Sequence, residues 1–282
     1  MTDRDTTLRR IRAGTLAAGL AAAITVASAC STVPSQPAAV PTTQESTAMP
    51  TEPTPTPAPS TPSPTPSPTP TPTPKPTPTP KPTVSREQAT QALLRAVRED
   101  DPAAAKRAIA DGADLEARSD GGRTPLVAAT KANRVELARL LLDAGADPDA
   151  KDDIQDSAFL YAGAEGLNEI LELILEHDPD VKSTNRYGGT ALIPASEHGH
   201  VETVRMLIAA GVPVNHVNKL NWTALHEAIV LGNGSDDHVE VVRLLLAAGA
   251  DPSIPDGDGV PPRRLAADRG FTKIVEAIDA AS

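Results

Sequence analysis

The chain has one cysteine, Cys30, in 282 residues. An internal disulfide is therefore excluded, and the chain beyond Cys30 contains no cysteine nucleophile. Other catalytic signatures are missing too. No G-x-S-x-G, H-E-x-x-H, Walker-type or G-x-G-x-x-G pattern occurs. The acids between Asp251 and Asp258 lack the spacing and terminal Glu of a calcium loop, and Gly257-Asp258-Gly259 reads as a turn rather than a phosphate cradle. No catalytic residue, metal or cofactor is expected. A basic surplus is also absent. Of 26 Lys+Arg and 37 Asp+Glu, the first 83 residues hold six and four, which leaves 20 and 33 in residues 84–282, a net charge of −13. Nucleic acid and anionic lipid surfaces call for the opposite sign. The apolar run over residues 14–29 is shorter than the roughly 20 residues of a membrane-spanning helix. Aromatics are confined to Phe159, Tyr161, Tyr187, Trp222 and Phe271.

What is present begins with a targeting segment over residues 1–30. Arg4, Arg9, Arg10 and Arg12 precede the apolar run, which ends in Val26-Ala27-Ser28-Ala29-Cys30. Small residues followed by a cysteine resemble a bacterial lipobox, with Ala27 where Leu is usual. That resemblance implies a lipid on Cys30 and attachment to the outer side of the cytoplasmic membrane. An ordinary secretory signal, which would give a secreted protein, and an uncleaved signal anchor are the other readings. All three place the rest of the chain outside the cytoplasm.

Residues 31–83 hold 19 of the 29 prolines, mostly as Thr-Pro or Ser-Pro, and no apolar residue recurs with a helical or strand period. Such a composition buries no core and is expected to be disordered. Alternating proline favours polyproline II, which rises about 3.1 Å per residue. The segment reads as a semi-rigid stalk or as a ligand for an aromatic groove, and its composition permits O-glycosylation.

Residues 84–282 are internally periodic. Thr124-Pro125-Leu126, Ser157-Ala158-Phe159, Thr190-Ala191-Leu192 and Thr223-Ala224-Leu225 follow one another at steps of 33. Gly112, Gly145 and Gly211 keep the same step, with Asp178 in the remaining place. Five extra residues, 233–237, interrupt the phase, and Gly249 resumes it. Each period holds two short apolar patterns of helical spacing, a tight turn between them, and a polar extended stretch. Thr or Ser suits an N-cap, Pro125 the first helical position, and glycine a left-handed C-cap. Ala129, Ala162, Ala195 and Ala228 recur at one place and let helices approach. Helices this short need stacked neighbours, and self-similarity at this period signals a repeat array. Asp178-Pro179 predicts a distorted helix end in the third full period.

These residues resemble the ankyrin repeat: TPLVAAT from Thr124, TALIPASEHGHVETVRMLIAAG from Thr190, and TALHEAI from Thr223. DSAFLYAGAEG, NRYGGTALIPA and NKLNWTALHEAI are similar to an exported bacterial lipoprotein subfamily of that family. The resemblance covers about residues 90–282. It implies an all-α solenoid of about six helix-turn-helix units with β-hairpin loops, and no biochemical activity. It also implies a concave surface lined by loop tips and first helices, with Ile154, Asp156, Glu165, Glu197 and Lys219 among its variable positions.

The candidate binding residues follow from that surface. Tyr187 and Trp222 are placed at hairpin tips, where packing does not require an aromatic, and Leu220 shares the phase of Tyr187. Tyr161 lies on the first helix of the middle repeat, and His198 and Leu231 extend the patch along the helices below. Exposed Trp and Tyr are frequent interface anchors. Packing between adjacent loops is the competing explanation for Trp222 and Tyr161. His198 and His200 could suggest a metal, but Gly-His is common at this turn in the family. The function read from this is non-enzymatic protein binding by a monomer on a lipid anchor. The alternatives are an inhibitor or immunity-type protein that masks an extracytoplasmic enzyme, and an envelope redox-protective factor. The partner protein is not named by the residues.

Overall fold

The computed structural model describes residues 84–281. The targeting segment with Cys30 and the stalk over residues 31–83 lie outside them. Twelve helices form six consecutive pairs among the described residues: α1 (Arg86–Glu99) with α2 (Pro102–Ala110), α3 (Pro125–Lys131) with α4 (Val135–Asp143), α5 (Ala158–Glu165) with α6 (Asn168–Leu175), α7 (Leu192–His198) with α8 (Val201–Ala209), α9 (Ala224–Val230) with α10 (Asp236–Ala247), and α11 (Pro262–Asp268) with α12 (Thr272–Ala280). First helices pack on first helices and second on second, so the pairs stack in two rows. The intervening loops form tight turns, with no strand among the described residues.

The stack supplies the core that no single pair has. Phe159 is fully buried, as are Leu126, Leu137, Leu141, Ile170, Leu171 and Leu192. Each such side chain contributes about 1.5–3 kcal/mol on removal from water. Ala129, Ala162, Ala195 and Ala228 are all at 0 % exposure. At Gly163 the approach of α5 and α7 is closer still, since a Cβ there would lie 2.8 Å from the Ala191 Cβ.

Three of the four expected hydroxyl caps form. Thr124 accepts from the Val127 N–H, Ser157 from the Leu160 N–H and Thr223 from the His226 N–H. Thr190 does not cap, and Pro194 supplies the reason. The residues at its phase, Ala128, Tyr161 and Glu227, donate their N–H to the carbonyls of Thr124, Ser157 and Thr223. Proline has no N–H to give. The Ile193 N–H takes the Thr190 carbonyl instead, at 3.2 Å, and α7 starts one residue late at Leu192. The Thr190 hydroxyl oxygen is left buried without a partner.

The helix ends show a second exception. Gly112, Gly145, Gly211 and Gly249 have φ of 85°, 92°, 83° and 87°. The next residue in each case donates back into the helix: Ala113 to Ala108, Ala146 to Leu141, Val212 to Leu207 and Ala250 to Leu245. Asp178 takes the same left-handed conformation, with φ of 49°, but Pro179 cannot make the returning bond. Helix α6 stops at Leu175, one residue earlier in phase than α4 and α8. The expected distorted end is therefore a shortened helix with one closing hydrogen bond fewer. The insertion is not only a turn. Asp236 and Asp237 belong to α10, which gains a turn at its start and is capped by Ser235. Two acids in a first turn complement the helix dipole.

Candidate functional site: a row of turns over the first helices

Between helix pairs the chain makes five equivalent turns. In each, one N–H closes on the carbonyl four residues later: Ser119 on Arg123, Asp152 on Asp156, Asn185 on Gly189, Asn218 on Trp222 and Asp256 on Val260. In four of them the first side chain builds the turn. Its Oδ1 accepts two backbone N–H groups, from Ile154 and Asp156 at Asp152, from Tyr187 and Gly189 at Asn185, from Leu220 and Trp222 at Asn218, and from Asp258 and Val260 at Asp256. Asn and Asp are the residues whose side chains can do this. The fourth residue turns left-handed, with φ of 68°, 66°, 72°, 59° and 79° at Gly122, Gln155, Gly188, Asn221 and Gly259.

Two pairs of neighbouring turns are bonded to one another. The Asp153 N–H donates to the Gly121 carbonyl at 3.0 Å, and the Lys219 N–H to the Tyr187 carbonyl at 2.9 Å. Lys219 also reaches the Arg186 carbonyl at 3.0 Å, and His216 the Gly188 carbonyl at 2.6 Å. The third residue of each turn, at its tip, is in order Gly121, Ile154, Tyr187, Leu220 and Asp258. The middle three place an apolar or aromatic side chain at the same position in consecutive turns. Ile154 is 48 % exposed, the highest value for any large apolar side chain described, and Tyr187 and Leu220 are half-buried. Arg186 lies over the Tyr187 ring at 4.7 Å.

Trp222 is not at a tip. It is the fifth residue of its turn, half-buried, and both its N–H and its carbonyl are engaged with Asn218. Tyr161 belongs to a different arrangement. The Lys131 ammonium lies 5.0 Å from its ring centre and pairs with Asp152 at 2.7 Å and Asp156 at 3.0 Å. Burial alone would raise the Asp152 carboxyl. The hydrogen bond from Lys131 and the N–H groups of Asp156 and Ile154 outweigh it and hold the group below the ordinary carboxylate range. The Tyr161 hydroxyl is pushed up by burial first and then by the Glu165 charge.

His198 and Leu231 occupy equivalent places at the ends of the neighbouring helices α7 and α9. His198 is exposed, and its Nδ1–H donates to the Ala164 carbonyl at 2.8 Å. The remaining turn histidines are structural ties. The His200 ring covers Gly166, where a Cβ would lie 2.9 Å away. His238 donates from Nε2 to the Glu197 carbonyl at 2.9 Å while its Nδ1 accepts from the Ser235 hydroxyl at 2.9 Å. His226 is fully buried, and its Nδ1 accepts the Thr223 N–H at 3.1 Å. Burial pushes the His226 and His200 imidazoles below their ordinary value. Among the described residues, no group of three or more His, Cys, Asp or Glu is placed to hold a metal ion.

The turn row therefore joins Tyr187 and Leu220, as their phase implied, and adds Ile154. Tyr161 stands on α5 beside Lys131, whose ion pairs link it to the turn that carries Ile154. The signal for Ile154 was its phase alone, because an isoleucine in a polar stretch is conspicuous only once the register is fixed.

The family model for ankyrin repeats (3 copies) matches residues 80–152 and 159–278. Among solved structures, an ankyrin repeat domain from Acinetobacter baumannii AYE is 53 % identical, with a TM-score of 0.66, and the match covers 67 % of this chain and 96 % of that one. The ankyrin repeat protein EF0377 is 38 % identical, with a TM-score of 0.65, over 67 % of this chain and 97 % of that one. No curated protein matched. Ankyrin repeats generally serve as protein-protein interaction modules and are typically non-enzymatic. With its 33-residue period, six stacked helix pairs and matched family model, the chain belongs to the ankyrin repeat family.

Proposed function

We propose that this protein binds a protein partner along its turn row and first helices, outside the cytoplasm, held by a lipid on Cys30 and raised on the stalk of residues 31–83. The observation that carries the binding reading is the row Ile154, Tyr187 and Leu220. Apolar side chains stand at the tips of three consecutive turns in a domain of net charge −13. Glu165, Glu197 and Lys219 provide polar surroundings, the usual anatomy of an interface. The anchor rests on the small-residue run that ends at the only cysteine. Capture from envelope extract with the full chain as bait tests the binding reading. Tyr187→Ala is expected to weaken capture by at least about 2 kcal/mol, the threshold for a dominant interface residue, with little change in melting temperature. Marked destabilisation with unchanged capture would assign Tyr187 to turn packing. For the anchor, Cys30→Ser is expected to release the protein from the membrane fraction. A mature chain that starts elsewhere and carries no lipid, seen by mass spectrometry, would refute it.

A further inference from the structure

The first-helix face changes character along the stack. At its start lies a groove of about 580 Å³ between α1, the turn over residues 119–123 and α3. Five arginines and a single acid, Asp120, line it, in a domain where acids outnumber bases by 13. Two of the arginines hold the fold together. Arg118 donates to the carbonyls of Gly122 and Lys151 at 2.8 and 2.6 Å. Arg134 donates to the Val97 carbonyl at 2.8 Å, closing the end of α1, and stands 3.7 Å from Asp100. The other three, Arg95, Arg98 and Arg123, are exposed, and their guanidinium groups make no hydrogen bond or ion pair among the described residues. Arg95 and Arg98 are one helical turn apart on α1, so they share a face. Arg123 stands across the groove from them at the foot of the turn. Leu94, Val97, Pro125, Ala128 and Ala132 supply the apolar part of the lining, beside Gln91 and Ser119.

The next cation along the face, Lys131, is already neutralised by Asp152 and Asp156. Past it come Glu165, one residue beyond the corresponding helix position, and Glu197 at that position. Along the first helices an anionic ligand is thus favoured at the first two repeats and repelled beyond them. Guanidinium forks match carboxylates in geometry as well as charge. Three of them spread over two walls, with an apolar floor, fit a chain that presents several carboxylates and an aliphatic side chain. A long polyanion such as nucleic acid would meet the net charge of the rest of the domain.

We propose that this groove docks an acidic peptide segment of the protein partner, orienting it so that its acidic end lies over the first two repeats and its apolar contacts fall on Ile154, Tyr187 and Leu220. This rests on the binding reading above and adds the chemistry and direction of the partner.

The test uses the purified full-length protein and a fluorescein-labelled peptide of about ten residues, whose extended length is roughly 33 Å. The peptide is Glu-rich with a central Leu, and its counterpart carries Gln for every Glu. An oligothymidine of similar length is the third probe, and binding is read by anisotropy. The Glu peptide is expected to bind, the Gln peptide not, and added salt to weaken the complex. The triple variant Arg95→Gln, Arg98→Gln, Arg123→Gln is expected to lose about tenfold in affinity, as three surface charge pairs near the middle of their usual strength would give. Its melting temperature should be unchanged, because these side chains hold nothing in the fold. Failure of the wild type to bind the Glu peptide, equal binding by the triple variant, or tighter binding of oligothymidine overturns the inference. Capture of a partner by the full chain is scored in parallel. Retained capture with no peptide binding defeats this inference alone, and peptide binding with no capture defeats the broader reading alone.

Discussion

Lys131→Met removes the one cation that two groove-side carboxylates share. Asp152 has a side chain 1 % exposed and Asp156 one 19 % exposed, with Lys131 itself at 14 %. Removing one member of a buried pair typically costs 3–5 kcal/mol, because a charge is left behind without compensation. Two features of the site reduce that figure. Asp152 keeps two backbone N–H bonds, and Asp156 keeps partial access to water. We expect a loss of about 2–3 kcal/mol. The structure also specifies the rescue. Asn185 and Asn218 occupy the position of Asp152 in the next two turns and accept the same pair of N–H groups. Asp152→Asn should therefore preserve the turn while deleting the stranded charge. Chemical denaturation of the wild type, both single variants and Lys131→Met/Asp152→Asn gives the coupling directly. The double variant should recover most of the loss. A single-variant cost under about 0.5 kcal/mol, as for an exposed pair, or a double variant that pays the sum of both changes, would refute the reasoning.

The pH dependence has a definite sign. Burial depresses the folded-state pKa of His226, so the unfolded chain takes up its proton first as pH falls. Stability is full above the unfolded value of about 6.5 and is lost as pH drops through the folded one. Thermal melts from pH 7.5 to 5.5 should show this decline, and His226→Gln should flatten it; an unchanged slope would exclude His226 as the source. At Asp178, which holds a φ of 49° in the place glycine takes elsewhere, Asp178→Gly should stabilise by roughly 0.5–1 kcal/mol. Hydrogen exchange should find the end of α6 faster than that of α8, since Pro179 withholds one closing bond, and equal protection would contradict that account.

The repeat, its caps and its helix ends were legible because each depends on residues within one period. Thr124, Ser157 and Thr223 cap three residues ahead, and glycines at a fixed phase turn the chain out of α2, α4, α8 and α10. Thr190 misled for a local reason: the consequence of Pro194 depends on the carbonyl four residues back, and the cap pattern alone does not include it. The Asx residues at 152, 185, 218 and 256 were equally periodic and could have been read as turn builders. Much of the site was not legible. Lys131 meets Asp152 and Asp156 across 21 and 25 residues, and nothing in their local pattern pairs them. The three groove arginines outside the fold's own bonds come from α1 and from the turn over residues 119–123, in a domain whose total charge points the other way. Trp222 was placed at a tip, but it is the last residue of its turn, two past the tip at Leu220, and only the turn's hydrogen bonds reveal that.

A partner seated on the turn row would lie against the tips at Tyr187 and Leu220. A photo-crosslinking amino acid placed at position 187 or 220, and separately at exposed Arg139 on the opposite helix row, tests this placement most directly in the full chain at the cell envelope. The account predicts one discrete protein adduct from positions 187 and 220 and none from 139. Adducts from position 139 with none from 187 or 220 would contradict it.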